Sequence, residues 1–216
     1  MSETTEQVLT IAKSTLEKGL RELGLRLDAN QQGLLLQYLV LLDKWNQVYN
    51  LTAIRDLARM VDAHLLDSLS VIPLLSGARL LDVGSGAGLP GIPIAVARPE
   101  WEVVLLDSNH KKSAFLRQAA ADLALNNASV ICERVESWTP QKKFDVIISR
   151  AFSDLAEFLS MTGHLLAPGG VLAAMKGLYP FEEIERVPAG FRVREVKAVR
   201  VPGLEAERHL VLVERA

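Results

Sequence analysis

The stretch Leu80-Leu81-Asp82-Val83-Gly84-Ser85-Gly86-Ala87-Gly88-Leu89-Pro90-Gly91 decides the fold. A short apolar strand, Arg79–Val83, runs into a turn with four glycines in the eight positions from Gly84 to Gly91. Glycine lets the backbone turn tightly and lets another molecule approach closely, because no Cβ stands in the way. Downstream, Glu102–Leu106, Ala128–Cys132, Asp145–Ser149 and Val171–Met175 read as further strands. Gly88–Ala97, Lys111–Leu125 and Asp154–Leu166 read as the helices between them. Strand–helix alternation at this spacing means right-handed crossovers and a mostly parallel sheet covered on both faces. After Pro180-Phe181 a short helix leads to Phe191–Val201 and Arg208–Val213, expected as an antiparallel pair at the sheet edge. Pro202-Gly203 falls in their connection, and the total is seven strands.

Upstream the rhythm is helical. Val8, Ile11, Ala12, Leu16, Leu20 and Leu23 recur every three or four residues, with Gly24 as a natural stop. A second helix is expected from Asp28 or Asn30 as cap through Leu34, Leu35, Tyr38, Leu41, Leu42 and Trp45. Asn46–Thr52 reads as a loop, and two shorter helices are expected before Pro73 and Gly77. The expected organisation is a helical cap, residues 1–76, on a doubly wound α/β domain, residues 77–216.

The 216 residues, 49% hydrophobic and 23% charged, suit a globular chain whose core needs no disulfide or metal staple. One cysteine, Cys132, excludes a disulfide framework and a cysteine-rich zinc site. It reads as a small buried residue inside a strand, without a reactive neighbour. The four histidines show no ligand spacing, so no metal is expected. A net charge of −2 gives no global positive field for nucleic acid. The polar, acidic start Met1-Ser2-Glu3-Thr4-Thr5-Glu6 has no apolar signal core behind it. The longest apolar stretch, Leu34–Leu42, contains Gln37 and is too short to span a bilayer. The expectation is a cytoplasmic monomer without membrane contact.

In sheets of this kind the ligand sits beyond the carboxyl ends of the strands, where strand order reverses. The strand after the glycine turn ends at Asp107, 23 residues past Gly84, suitably placed for a ribose diol. Dinucleotide-binding domains and S-adenosylmethionine methyltransferases share both features. Gly86, Gly88 and Gly91 fit G-x-G-x-x-G literally, but that pattern alone is weak. With Val83 ending the strand, Gly84 opens a G-x-G-x-G register and Leu89 stands where a third dinucleotide glycine would fall. Asp82 at the strand end suits the ammonium group of an amino-acid cofactor, whereas a pyrophosphate would be repelled. The reading is a Rossmann-like class I fold binding S-adenosylmethionine through Asp82, Gly84, Gly86, Gly88 and Asp107.

The fourth strand end reads Ser149-Arg150-Ala151-Phe152, without the Asn/Asp-Pro-Pro-aromatic sequence common in enzymes that methylate exocyclic amines. No cysteine follows it, which argues against thiolate attack on a pyrimidine. Taken with Leu80–Leu89, Pro90-Gly91-Ile92-Pro93, Leu105-Leu106-Asp107-Ser108, Arg134-Val135-Glu136 and Glu207-Arg208-His209-Leu210, the chain resembles the ribosomal small-subunit methyltransferase G family. That family is also called glucose-inhibited division protein B. Lys44-Trp45-Asn46, Tyr49-Asn50-Leu51-Thr52 and His64-Leu65-Leu66-Asp67-Ser68 extend the resemblance over nearly the whole chain. It implies methylation of N7 of one guanine in 16S ribosomal RNA, on RNA or the small subunit, with S-adenosylmethionine as donor. It also implies cofactor contacts at Gly84, Leu89, Val135, Glu136 and Arg150.

Guanine N7 has a lone pair and no proton, so no general base is expected. Catalysis would rest on positioning and water exclusion, worth up to roughly 7–11 kcal/mol in favourable systems. Arg150 is expected to hold donor or RNA oxygens, and Phe152 to contact the base face. Because N7 faces a groove of A-form RNA too narrow for side chains, the guanine must come from a loop or opened segment. Candidate RNA contacts are His64, Lys111, Lys112, Lys176, Arg200 and Arg208, with Lys176 the best placed. His64 stands three residues before Asp67 and is expected either to pair with it, holding the cap, or to reach over the site. Trp45, Tyr38 and Tyr49 read as cap packing. Two other readings compete: an NAD(P)-dependent oxidoreductase, and a non-catalytic S-adenosylmethionine-binding module that recognises ribosomal particles.

Overall fold

A computed structural model describes residues 3–150, 152 and 154–216. The cap opens with α1 (Glu3–Glu22) and α2 (Ala29–Tyr49), followed by α3 (Leu57–Met60), a π-helical turn (Val61–Leu66) and α4 (Asp67–Leu69). The sheet region then runs β1 (Arg79–Val83), α5 (Gly91–Ala97), β2 (Glu102–Leu106), α6 (His110–Asp122), β3 (Ala128–Ile131) and β4 (Phe144–Ser149). It finishes with α7 (Leu155–Thr162), β5 (Leu166–Lys176), α8 (Phe181–Glu185), β6 (Phe191–Ala198) and β7 (His209–Arg215). Among the described residues one seven-stranded sheet has the order β3-β2-β1-β4-β5-β7-β6. The pairs from β3 through β5 are parallel, and β7 runs antiparallel to both β5 and β6. Strand order reverses between β1 and β4, so the crevice expected from the sequence opens beyond Val83 and Ser149.

Alternating side chains sort onto two faces, as strand geometry requires. Leu80, Val103, Leu105, Val146, Ile148 and Leu210 face a core shared with Leu16, Leu35, Tyr38 and Leu42 of the cap and Phe115 of α6. Leu81, Val83, Val104, Leu106, Ile147 and Val211 face a second core with Leu155, Phe158 and Leu159 of α7. The cap therefore completes one side of the sheet, and residues 1–76 share a core with residues 77–216 wherever they are described.

Asp28 caps α2 with a reciprocal box: its carboxylate accepts from the Gln31 N–H at 2.8 Å, and Gln31 Oε1 accepts from the Asp28 N–H at 2.9 Å. The expected loop at Asn46–Thr52 begins later, because α2 continues to Tyr49 and stops at Asn50 in a left-handed cap with φ 48°. Asn46 is 2% exposed, and its side-chain oxygen accepts from the Thr52 N–H at 2.9 Å. Buried contacts thus favour helix where the polar residues suggested a turn. Ile11, expected on the apolar face of α1, is 57% exposed. β5 starts at Leu166, earlier than the expected Val171, with a register irregularity against β4 between Phe144 and Val146. Cys132 lies just past β3, half-buried, with its Sγ 3.3 Å from His110 Nδ1; the expected inert strand position is corrected.

Tyr38 ties the cap to the glycine turn: its hydroxyl donates to the Ala87 carbonyl at 2.6 Å, fully buried. Tyr38→Phe leaves that buried carbonyl unpaired, at a cost of about 1–3 kcal/mol. Urea denaturation is expected to show a lower midpoint with unchanged slope.

Candidate functional site

The turn after β1 is built from backbone bonds that only glycine conformations permit. Gly84, Gly86 and Gly88 have φ of 69°, 58° and 86°, in the left-handed region that side chains disfavour. Gly84 and Ser85 N–H groups donate to the Leu106 carbonyl at 2.8 and 3.1 Å, which locks the turn onto the end of β2. Asp107 extends that lock. Its Oδ2 accepts from the Gly86 N–H at 2.9 Å and its Oδ1 from the Asn109 N–H at 2.8 Å. Asp107 is 6% exposed, at the lip of the crevice.

Asp82 sits beneath the turn, fully buried. Its Oδ2 accepts from the Gly91 N–H at 2.9 Å, while its Oδ1 has no hydrogen-bond partner among the described residues. Gly91 is required here, since a Cβ would stand 2.2 Å from Leu105 and 2.7 Å from the Asp82 carboxylate. Burial pushes the Asp82 carboxyl up to about 7, against the lowering influence of the Gly91 N–H. Leu89 is buried at 3% exposure, so it shapes the turn from within. Val135 is buried and Glu136 exposed, in the segment between β3 and β4.

Arg150 leaves the end of β4 and bonds the cap: its Nη1 donates to Asp67 Oδ2 at 3.1 Å and to the Ala63 carbonyl at 3.3 Å. Arg208, just before β7, donates from Nε to the other Asp67 oxygen at 2.8 Å. β7 starts at the edge where β5 ends, with Lys176 paired to His209, and this places Arg208 beside the crevice. The Asp67 side chain is 2% exposed, whereas those of Arg150 and Arg208 are 30% and 28% exposed. Asp67 is the residue whose role the sequence did not disclose.

The expected pairing of His64 with Asp67 is replaced. The segment Val61–Leu66 is a π-helical turn, and His64 Nε2 lies 2.9 Å from Thr52 Oγ1. Burial, with help from the nearby Arg150 charge, lowers the His64 pKa to about 4, so the ring is neutral at pH 7.

Two cavities meet at Arg150. One of about 470 Å³ is lined by Thr52, His64, Asp67, Lys176 and Arg208 among others. The second, about 720 Å³, adds Phe152, Tyr179, Phe181 and Arg186. Both share Arg150, Met175, Lys176 and Gly177. Phe152 is half-buried with its ring 5.3 Å from Phe158, so it combines a packing contact with cavity lining. Ala151 lies outside the described residues. Tyr179 and Phe181, their ring centroids 4.3 Å apart and their planes tilted by 41°, are exposed and form a rim that sequence reading missed.

Lys176 donates to Glu183 at 2.7 Å and to the Phe152 carbonyl at 3.1 Å, with its side chain 9% exposed. Its charge is therefore matched, which weakens its expected rank as the best-placed RNA contact. Lys111 and Lys112 open α6, where their N–H groups donate to the Asn109 cap. Arg200 is exposed beyond β6, farther along the same sheet edge. Trp45 and Tyr38 pack against Phe115, as cap packing requires. Among the described residues no cluster of three His, Cys, Asp or Glu could hold a metal ion. No described helix is long and apolar enough to cross a membrane.

The family model described as rRNA small subunit methyltransferase G matches residues 31–211. The ribosomal RNA small subunit methyltransferase G of Laribacter hongkongensis is 60% identical over 199 residues, covering 92% of this chain and 96% of that protein. The one from Chromobacterium violaceum is 57% identical, covering 94% and 98%. In fold, the chain resembles the glycopeptide N-methyltransferase MtfA with bound S-adenosylhomocysteine, at TM-score 0.61 and 11% identity, covering 71% of this chain and 87% of that one. It also resembles TrmN from Thermus thermophilus, at TM-score 0.54 and 23% identity, covering 69% and 48%. The chain belongs to the rRNA small subunit methyltransferase G family.

Proposed function

We propose that the chain transfers a methyl group from S-adenosylmethionine to N7 of a guanine in 16S ribosomal RNA, at the crevice between β1 and β4. The observation that carries the reading is the pair of carboxylates around the glycine turn. Asp82 Oδ1 is a buried acceptor with no hydrogen-bond partner among the described residues, and it suits the ammonium end of a zwitterionic donor. Asp107 already accepts one N–H on each oxygen and retains lone pairs at the lip for a ribose diol. A Cβ built on Gly86 would meet nothing nearer than 3.8 Å, so the outer side of the turn is open to a ligand. The residues present fit the cofactor.

S-Adenosylmethionine supplies a methyl group made electrophilic by its sulfonium. The chain's own part is to bind, orient and keep water away. Arg150 is fixed by Asp67 and Ala63, so its guanidinium is held at the junction of the two cavities without a large loss of side-chain freedom on binding. Phe152 offers its ring face to a planar base from the neighbouring wall. N7 carries no proton, and the His64 ring, with its pKa near 4, is a poor base at pH 7. Positioning is then the main source of rate. A ribosomal RNA substrate supports a cytoplasmic location, where ribosomal subunits are made.

Three outcomes test this reading. Incubation with labelled donor and small ribosomal subunits, followed by digestion, should yield 7-methylguanosine; a different nucleoside or none refutes it. Arg150→Ala should lower turnover at least tenfold. Donor affinity should rise with pH as Asp82 loses its proton near 7, because only the anion attracts an ammonium group. In stability the same group acts oppositely. Its folded pKa lies above the ordinary carboxylate value of 3.8, so its contribution is present below that value and is lost as pH rises to about 7. Asp82→Asn should therefore weaken donor binding at pH 8 and flatten its pH profile in calorimetry, while removing that downward drift in stability.

A further inference from the structure

We infer that the 470 Å³ cavity between the cap and the ends of β5 and β7 is a phosphate subsite, in which Arg208 beside Arg150 holds a backbone phosphodiester near the target guanine. This rests on the proposed RNA substrate and names how that substrate is gripped.

The argument is one of unmatched charge and unspent donors. Asp67 offers one negative charge to two guanidinium groups, both within 3.1 Å. The other cation in the lining, Lys176, is matched by Glu183. The neutral His64 adds no charge, so the cavity wall carries a net +1 from Arg150, Arg208 and Asp67. Arg150 engages only Nη1 among the described residues, on Asp67 and Ala63. Arg208 engages Nε on Asp67 and Nη1 on the Glu207 carbonyl at 2.8 Å. Nη2 of each therefore remains for a ligand.

With about a third of each arginine side chain exposed and both held by a buried carboxylate, the donors are accessible and oriented. A planar guanidinium fork with spare N–H groups matches a tetrahedral oxyanion. The ring edge of His64 and the Thr52 hydroxyl complete a polar wall. The cavity is continuous with the Phe152 wall through Arg150, so an anion there lies next to the place proposed for the base. The same donors could instead take the carboxylate of the methyl donor, and the experiment separates the two sources.

The test measures binding of fluorescently labelled small-subunit ribosomal RNA at a series of KCl concentrations, and of S-adenosylmethionine by calorimetry. Arg208→Gln is expected to weaken RNA binding at least fivefold and to reduce the slope of log affinity against log salt by about 1. Donor affinity should stay within about twofold, and Arg208→Lys should restore the slope, since a phosphate contact needs the charge. An unchanged slope overturns the subsite, and so does a loss of donor affinity at constant RNA slope, which assigns the arginines to the donor carboxylate. Because Arg208 also neutralises buried Asp67, melting curves accompany each variant. If Arg208→Gln melts, phenylglyoxal modification of Arg208 in the wild-type protein is followed by peptide mass instead: protection by the RNA and not by S-adenosylmethionine is expected, and protection by the donor alone, or by neither, overturns the subsite. Wild-type protein that binds no RNA overturns the proposed substrate as well; a wild-type slope kept in the variant overturns the subsite alone.

Discussion

The turn after β1 must hold three residues in left-handed backbone, and two carboxylates keep it there. Asp107 grips the Gly86 N–H from the neighbouring strand end, and Asp82 grips the Gly91 N–H from below. Hydrogen bonds to a charged acceptor are worth about 1.5–3 kcal/mol each, enough to offset part of the ordering cost of the turn. The lower acid carries a cost of its own. Its second oxygen is buried without a hydrogen-bond partner among the described residues, and burial favours its neutral form. A turn shaped this way is rigid in backbone and unsatisfied in charge, the combination expected of a site that gains by receiving a cation.

The cap extends this arrangement. It covers one face of the sheet with apolar side chains, but it reaches the crevice through polar contacts: the Tyr38 hydroxyl on Ala87, the Ala63 carbonyl on Arg150, and the Asp67 carboxylate between Arg150 and Arg208. Removing one partner of such a buried ionic contact typically costs about 3–5 kcal/mol, since a charge is stranded away from water. The same contact makes two flexible arginines stiff. Stability of the cap and shape of the substrate-facing wall are thus carried by one group, and a change at Asp67 acts on both.

Most of the architecture could be read in the residues because it depends on local pattern. Alternation of short apolar runs with helical segments located the seven strands, and the Asp28 cap and Gly84–Gly91 turn were visible as residue types. Errors fell where distant contacts overrule local preference. Asn46 extends α2 because its buried side chain is used by Thr52, and Cys132 meets His110, which comes from the start of α6. His64 and Asp67 have the spacing of a helical pair, yet a π-helical turn and partners from other elements separate their roles.

The sequence by itself determined the doubly wound sheet, the glycine turn and its two acids, and the resemblance to the family that the chain belongs to. Periodicity, turn chemistry and ordered motifs are properties of short segments, so they survive without knowledge of the fold. Tertiary structure alone decided which charges are spent and which remain. Lys176 is matched by Glu183, while Arg150 and Arg208, 58 residues apart in the chain, converge on Asp67 from the cap. Charge balance is a sum over neighbours in space, and in this protein those neighbours come from the cap, from β4 and from the approach to β7.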